Sequence, residues 1–212
     1  MDALTVLVDE HRVILQALDC LEKIARRARD AETLDAVSAR EAVELFQTFA
    51  DRCHHAKEED ILFPLLETEK GFSTGSGPTA VMRAEHVEGR ACVRRMAESM
   101  DAAEKGDREA VARFAGAAEA YVRLLRDHIG KEDHCLFRNV GYALTGDDHR
   151  RLLAAYDAAE EKLGAGTHER LHRIADGLAA RWGVARAPAE AGACCGAGIG
   201  GAVGGDVGVA FI

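Results

Sequence analysis

Two separate segments of this chain carry a histidine that is followed, four residues later, by a glutamate: His54 by Glu58, and His128 by Glu132. On an α-helix this spacing puts the imidazole and the carboxylate on one face, one turn apart. Both pairs lie in long segments whose apolar residues recur at steps of three and four, a pattern that predicts amphipathic helices. A charged glutamate is costly to bury in a helix bundle unless something neutralises it. The sequence therefore predicts helices that pack around a charged centre.

The same apolar periodicity divides most of the chain into helices. Only 3 prolines among 212 residues, together with many Ala, Leu, Glu and Arg residues, favour helix throughout. Four long helices separated by short turns predict an all-α, up-down-up-down four-helix bundle. Two shorter C-terminal accessory helices are expected to cap or flank it. The predicted helices cover about residues 3–29, 38–69, 79–104, 108–140, 145–163 and 167–182.

The chain is expected to consist of one domain followed by a tail. Residues 1–183 form the helical bundle domain, and residues 184–212 form a flexible Gly/Ala-rich tail, because the tail has almost no charge and too much glycine for a stable helix. The tail carries the adjacent pair Cys194 and Cys195. A soft-metal or redox role and an incidental role both remain open for this pair.

The second helix carries two local signals. Ser38 and Glu41 have the spacing of a capping box, which predicts a helix start at Ser38. Pro64 lies inside the helix and should kink it just beyond the His54/Glu58 pair, because proline removes a backbone donor and crowds the preceding turn.

Charge and composition limit the classes of partner. The formal net charge is −9, from 36 acidic and 27 basic residues, which disfavours nucleic acid and anionic membranes. The sequence contains no signal peptide and no 18-residue uncharged apolar run, so a cytoplasmic location without a membrane partner is the expectation. The six cysteines lack the spacing of a disulfide scaffold and are expected to be thiols.

Two further histidines fall on inner stripes of other helices, His11 on the first and His86 on the third. Either one alone is more typical of a hydrogen-bonded or surface histidine. Four histidines and two glutamates on core-facing stripes of four helices indicate one site for two metal ions, since imidazole and carboxylate together suit iron, manganese or zinc. The candidate metal ligands are His11, His54, Glu58, His86, His128 and Glu132.

His55 and Glu59 repeat the four-residue spacing one position along the second helix. One residue corresponds to a rotation of about 100° on an α-helix, so these two side chains are expected to point outward. His134 is likewise off the inner face of the fourth helix and is expected at the surface, whereas Cys135 is expected on the inner stripe with His128.

The order His, His-x-x-x-Glu, His, His-x-x-x-Glu resembles the hemerythrin-like, or HHE cation-binding, domain family. The resemblance covers about residues 1–185 and is strongest in FADRCHHAKEEDILFPLLE, AEHVEGRACVRRM and YVRLLRDHIGKEDHCLF. It implies a four-helix bundle that holds a non-haem di-iron centre, with two iron ions joined by oxo or hydroxo and carboxylate bridges. Glu58 and Glu132 would be the bridging carboxylates. Manganese and zinc are alternatives that the same ligand types allow.

The chain departs from the oxygen-carrying hemerythrins on the third helix. Those proteins have a His-x-x-x-His pair there, whereas the residue four after His86 is Arg90. One ion therefore loses a ligand, gains water or recruits a protein oxygen. Tyr121 lies on the same face as His128 and is either a supporting or ligating group or a core aromatic residue. Arg90 would pair with a ligand carboxylate or with Glu85, or face solvent.

The resemblance implies a di-iron protein that binds and reacts with small oxidants such as dioxygen, hydrogen peroxide or nitric oxide, with an unidentified electron donor. The four-histidine set is similar to that of bacterial and mycobacterial members linked to peroxide and nitric oxide chemistry, so a peroxidase-like, catalase-like or nitric-oxide-consuming activity is expected. The alternatives are a module that senses or stores oxygen, nitric oxide or iron without turnover, and repair of iron centres under nitrosative stress. A metal-free helical interaction protein is a fourth reading, which the six ligand-type residues argue against.

Overall fold

The computed structural model describes residues 2–185, and in this part of the chain helices connected by short turns account for the fold. The predicted all-α class is confirmed. The expectations for Cys194, Cys195 and the tail from residue 186 onward lie outside the described residues. In chain order the helices are α1 (Ala3–Ala31), α2 (36–69), α3 (Pro78–Glu104), α4 (108–143), α5 (Gly146–Leu163) and α6 (Thr167–Trp182).

The first four helices form the bundle, and the last two flank it. Helix α4 packs along both α3 and α1, and α2 packs against α1 and α3, so each helix contacts its neighbours in the chain. The accessory helix α5 lies against α1 and α2, and α6 packs against the same two helices. Within residues 2–185, none of these helices combines the length and the apolar character that a membrane span requires.

Side-chain caps explain where several helices begin. The Asp107 carboxylate accepts a hydrogen bond from the Ala110 backbone N–H, directly after Gly106 turns the chain with φ of 88°. A capping box between Thr145 and Asp148 starts α5. These starts agree with the sequence expectation.

The predicted capping box at Ser38 and Glu41 is wrong. Helix α2 begins two residues earlier, at Ala36, because the Asp35 carboxylate accepts from the Ser38 backbone N–H and caps the helix. The Ser38 hydroxyl instead accepts a hydrogen bond from Trp182 Nε1 of α6. This residue thus joins an accessory helix to the bundle rather than starting a helix.

Helix α2 is not a regular α-helix. It runs as α-helix over Ala36–Leu45, as π-helix over Phe46–His55 and Glu58–Leu62, and again as α-helix over Phe63–Glu69. The disturbance expected at Pro64 takes the form of a π turn, in which the Phe63 backbone N–H bonds to the Glu58 carbonyl five residues back. Such i→i+5 turns shift the side chains that follow relative to an α-helical register.

Helix α4 contains a similar interruption. Its π-helical turn spans Glu132–Leu136, between the α-helical parts Arg108–Lys131 and Phe137–Ala143. The prediction that Cys135 lies on the inner stripe is wrong, since this residue is exposed. The π turn changes the register after Glu132, and an α-helical projection therefore misplaces the side chains that follow. The four cysteines of the described chain, Cys20, Cys53, Cys92 and Cys135, are free thiols.

Of the three apolar clusters in the described residues, the two larger ones lie on either side of the candidate ligands. One cluster contains residues of all the bundle helices and Leu178 of α6, and the other contains Leu7, Phe63, Phe137 and Tyr156 of α5. On each of the first four helices the candidate ligands fall between residues of the first cluster and residues of the second. Apolar packing on both sides fixes the backbone around the polar centre, because each fully buried large side chain contributes about 1.5–3 kcal/mol.

Candidate metal centre

All six predicted ligands converge on one buried centre, and each is at most 1% exposed. Their donor atoms form two groups, and within each group the donor atoms lie within 4.8 Å of one another. The first group is His11, His54, Glu58 and Glu132. The second group is Glu58, His86, His128 and Glu132. The two glutamates thus belong to both groups, whereas each group has its own pair of histidines.

The histidines approach each other in two pairs through their Nε2 atoms. These atoms are 2.9 Å apart in the pair His11 and His54, and 3.0 Å apart in the pair His86 and His128. Each pair joins two helices, α1 with α2 and α3 with α4. Two imidazole nitrogens that face one another inside a protein form a site for a proton or a metal cation, because neutral imidazole is the commonest metal ligand in proteins.

Each of the two glutamates faces one histidine of each pair. Glu58 Oε2 lies 3.8 Å from His54 Nε2 and 3.4 Å from His86 Nε2. Glu132 Oε2 lies 3.2 Å from His11 Nε2, and its Oε1 lies 3.2 Å from His128 Nε2. All four carboxylate oxygens are buried and lack a hydrogen-bond partner of acceptable geometry. Since buried polar atoms are nearly always satisfied, these oxygens fit metal cations held between the two histidine pairs.

The protonation of the two glutamates supports the same conclusion. Burial and the nearby charge of Glu132 raise the pKa of Glu58 well above its ordinary value. Although burial also opposes ionisation of Glu132, its contacts with His11 and His128 hold the pKa of that carboxyl well below its ordinary value. Without a cation the two adjacent carboxylates cannot both ionise at low cost. A divalent or trivalent cation would remove that penalty.

A second layer of carboxylates orients all four histidines. Every Nδ1 atom lies 2.6–3.0 Å from a carboxylate oxygen of a different helix. A carboxylate can only accept, so Nδ1 donates its proton to it, and Nε2 is the nitrogen that would offer its lone pair to a cation at the centre. The four pairs are His11 with Asp133, His54 with Glu10, His86 with Glu59, and His128 with Glu85.

Sequence reasoning missed the four carboxylates that orient the histidines, although a local signal was present. Each one is the chain neighbour of a predicted ligand and serves a histidine on another helix. Glu10 precedes His11, and Asp133 follows Glu132. This signal identifies the residues, but the choice of partner depends on how the helices pack.

Three of these four carboxylates also bind a basic side chain: Lys57 binds Glu10, Arg90 binds Glu59, and Lys131 binds Glu85. Arg90 contacts Glu59 through both terminal nitrogens and Asp51 through Nε, at 2.6 Å. It therefore pairs neither with Glu85 nor with Glu58 or Glu132. Its link to the centre is Glu59, which accepts the hydrogen bond from His86.

The prediction that His55 and Glu59 point outward is wrong. His55 is only 3% exposed, and its ring stacks on His86 with the ring centroids 3.9 Å apart and the planes 18° from parallel. One ring nitrogen of His55 lies within 4.8 Å of a nitrogen of His86 and of His128. The reason is the π-helical segment Phe46–His55, whose wider turn brings both His54 and His55 to the interior. His134 is exposed, as expected.

Tyr121 is buried in the apolar core and lines a neighbouring cleft. Its ring meets Phe46 edge-on with a centroid distance of 4.8 Å. A Cβ atom at Gly89 would lie 3.4 Å from Tyr121 Cε2, so the ring packs closely against the backbone of α3 at this position. Burial, and then the charge of Asp51, raise the pKa of the Tyr121 hydroxyl, which keeps it protonated. These contacts fit the core aromatic interpretation.

A buried lysine occupies a second cluster of ligand-type residues beside the centre. Lys57 is fully buried and forms ion pairs with Glu10 and with Glu160 of α5. Cys53 Sγ lies 3.8 Å from Glu10 Oε1, and burial raises the pKa of its thiol to about 12. The ammonium group pairs with both carboxylates and occupies the space between them, so this cluster serves as a support for His54 through Glu10.

Comparison with known proteins identifies the family. The sequence model described as the hemerythrin HHE cation binding domain matches residues 2–140. Uncharacterized proteins from Mycobacterium tuberculosis and Mycobacterium bovis are 26% identical to the chain over 172 residues. These alignments cover 80% of this chain but only 66% of each relative's length. No solved structure matches the chain. Since the family model spans more than half of its residues, the chain belongs to the hemerythrin HHE cation-binding family.

Proposed function

We propose that this protein is a non-haem di-iron protein that binds and reacts with small oxidants such as dioxygen, hydrogen peroxide or nitric oxide. The observation that carries the proposal is the position of Glu58 and Glu132 between the two histidine pairs, with four buried oxygens that lack a hydrogen-bond partner. Two shared carboxylates suit a pair of ions better than a single ion. The residues that would hold the irons are His11, His54, Glu58, His86, His128 and Glu132.

The donor set favours reactive iron over a structural metal ion whose coordination positions are all filled by protein ligands. Each half of the centre offers two imidazoles together with carboxylate oxygen, and two histidines with one carboxylate are typical of reactive non-haem iron with open positions. Position 90 would be a further ligand in the oxygen carriers, but Arg90 binds Glu59 instead. An open position favours reaction with a small molecule over reversible oxygen carriage.

The chain's own residues supply orientation and protection. Bound iron would supply the change of oxidation state that the reaction needs. The four Nδ1–carboxylate hydrogen bonds fix the imidazole rings before metal arrives, which raises ligand basicity and limits rearrangement. The apolar clusters on both sides keep bulk water away, and charges inside the centre therefore interact strongly.

Turnover of hydrogen peroxide by iron-loaded protein tests the reactive function. We expect many equivalents of peroxide to be consumed per iron pair, and we expect the Glu132→Ala variant to lose this activity. The His134→Gln variant changes an exposed histidine on the same helix and serves as the control. Stoichiometric binding of peroxide or nitric oxide without turnover would contradict the reactive function and favour a sensing or storage module.

A further inference from the structure

A surface cleft of about 370 Å³ opens beside the metal centre, between helices α2 and α3. One wall comes from the π-helical segment Phe46–His55, and the other comes from α3. Tyr121 of α4 also lines the cleft. Its lining combines apolar surface with charged groups. The residues that matter here are Phe46, Asp51, His55, Gly89, Arg90 and Tyr121.

His55 belongs both to this cleft and to the centre. Its ring lines the cleft and stacks on His86, whose Nε2 atom points at the candidate metal position. The His55 Nδ1 atom is buried and has no hydrogen-bond partner, since the nearest carboxylate oxygen, on Asp51, is 3.7 Å away. A buried imidazole with an unused nitrogen beside a cleft is well placed to meet a small polar molecule.

The stacking geometry argues against His55 as a ligand of the ion that His86 would bind. An imidazole directs its lone pair in the plane of the ring, so a bound metal lies close to that plane. The rings of His55 and His86 face each other with nearly parallel planes, offset by the stacking distance. No single ion near these rings can lie in both planes. His55 therefore stands next to the ligand set rather than in it.

We propose that the cleft admits small molecules to the metal centre and that His55 hydrogen bonds the molecule that is bound at the metal. The inference rests on the proposed function, because it needs a metal with an open position. The molecules concerned are small and have a nitrogen or oxygen atom that can share a hydrogen bond with imidazole. The Asp51–Arg90 ion pair at 2.6 Å holds the cleft wall beside His55.

Azide binding to the iron-loaded ferric protein tests the role of His55 without any turnover. The His55→Phe variant keeps a flat ring against His86 and removes the hydrogen bond, whereas His55→Gln keeps a hydrogen-bonding group and removes the ring. We expect His55→Phe to retain its iron and to bind azide about three- to tenfold more weakly, as loss of one hydrogen bond predicts. His55→Gln should recover part of the affinity. Unchanged azide affinity in both variants, or loss of iron from His55→Phe, would overturn the proposal.

A second pair of variants tests the cleft as the access route and leaves His55 intact. Ala97 lines the cleft, so Ala97→Trp should fill it and slow azide association at least about tenfold at unchanged iron content. Val87 is 64% exposed on the same helix, which makes Val87→Trp the matched control. Equal association rates in the two variants would overturn the route. Wild-type protein that binds no iron would overturn the proposed function itself, whereas iron-loaded protein with unaltered azide binding in all variants overturns only this inference.

Discussion

Arg90 binds both carboxylate oxygens of Glu59, with Nη1 3.1 Å from Oε1 and Nη2 3.0 Å from Oε2. Glu59 also accepts a hydrogen bond from His86 Nδ1 at 2.6 Å. The position that carries a further histidine in oxygen-carrying hemerythrins thus acts here on a candidate ligand through an intermediate carboxylate. Compared with those proteins, the candidate centre has one histidine fewer on α3, and the orientation of its His86 ring is fixed by Glu59.

Removal of that carboxylate should weaken metal binding. We expect Glu59→Ala to lower iron affinity by about 10- to 100-fold, the usual effect of losing a group that orients a metal-bound histidine. Competition with a chelator measures the affinity. Glu88→Ala on the exposed face of α3 is the control, and equal affinities in the two variants would show that Glu59 does not support the site.

The support that Arg90 gives to Glu59 depends on the planar shape of the guanidinium group. Arg90→Lys keeps the charge but cannot contact both oxygens of Glu59 in one plane. We therefore expect an iron affinity between those of wild type and Glu59→Ala in the same chelator competition. An Arg90→Lys variant that binds iron as weakly as Glu59→Ala would contradict this prediction, because it would show that the positive charge alone gives Glu59 no support.

Lys57 should be important for the stability of the fold. Its Lys57→Met variant leaves Glu10 buried without a counter-charge, which costs about 3–5 kcal/mol of unfolding free energy. Lys131→Met breaks a comparable pair with Glu85, but this lysine is 43% exposed and the loss should stay below about 1 kcal/mol. Denaturant unfolding of the metal-free protein gives both values. Adding Glu10→Gln to Lys57→Met should restore part of the loss, and similar losses in the two single variants would contradict the account.

Glu58→Gln should stabilise the metal-free protein while it abolishes normal iron loading. Burial and the charge of Glu132 keep Glu58 protonated in the folded chain, whereas the unfolded chain releases this proton at neutral pH; the amide removes that cost, a gain of about 1–3 kcal/mol. The pKa of Glu58 is raised, so the penalty in wild type is absent below its ordinary value of 4.5 and grows as the pH rises towards the folded-state pKa. The advantage of the variant should therefore grow from pH 4 to pH 7. An advantage that is independent of pH would rule out this explanation.

The sequence predicted which histidines and glutamates converge at the buried centre, because their positions follow rules that hold within a single helix. His54 and Glu58 share a face by their spacing, and His11 and His86 lie on apolar stripes that must turn inward in any bundle. The all-α class followed from the same stripes. These inferences needed no knowledge of how one helix lies against another.

The wrong predictions for His55 and Cys135 have a common physical origin in the helix register. An α-helix turns by about 100° per residue, which predicts an outward His55, but the π-helical segment Phe46–His55 turns by less per residue and brings it inward. The π-helical turn Glu132–Leu136 has the same effect on Cys135, which an α-helical register predicts on the inner face. Single-sequence patterns do not signal π turns, and the carboxylate partners of the histidines depend on contacts between helices.

Iron content tests the central claim, that six side chains from four helices hold a pair of metal ions. Purified wild-type protein reconstituted with iron should contain about two irons per chain, the stoichiometry of di-iron helix bundles. His86→Ala and Glu132→Ala should each contain less, whereas His134→Gln should match wild type. Wild-type protein that takes up no iron, or ligand variants that retain the full complement, would contradict the account.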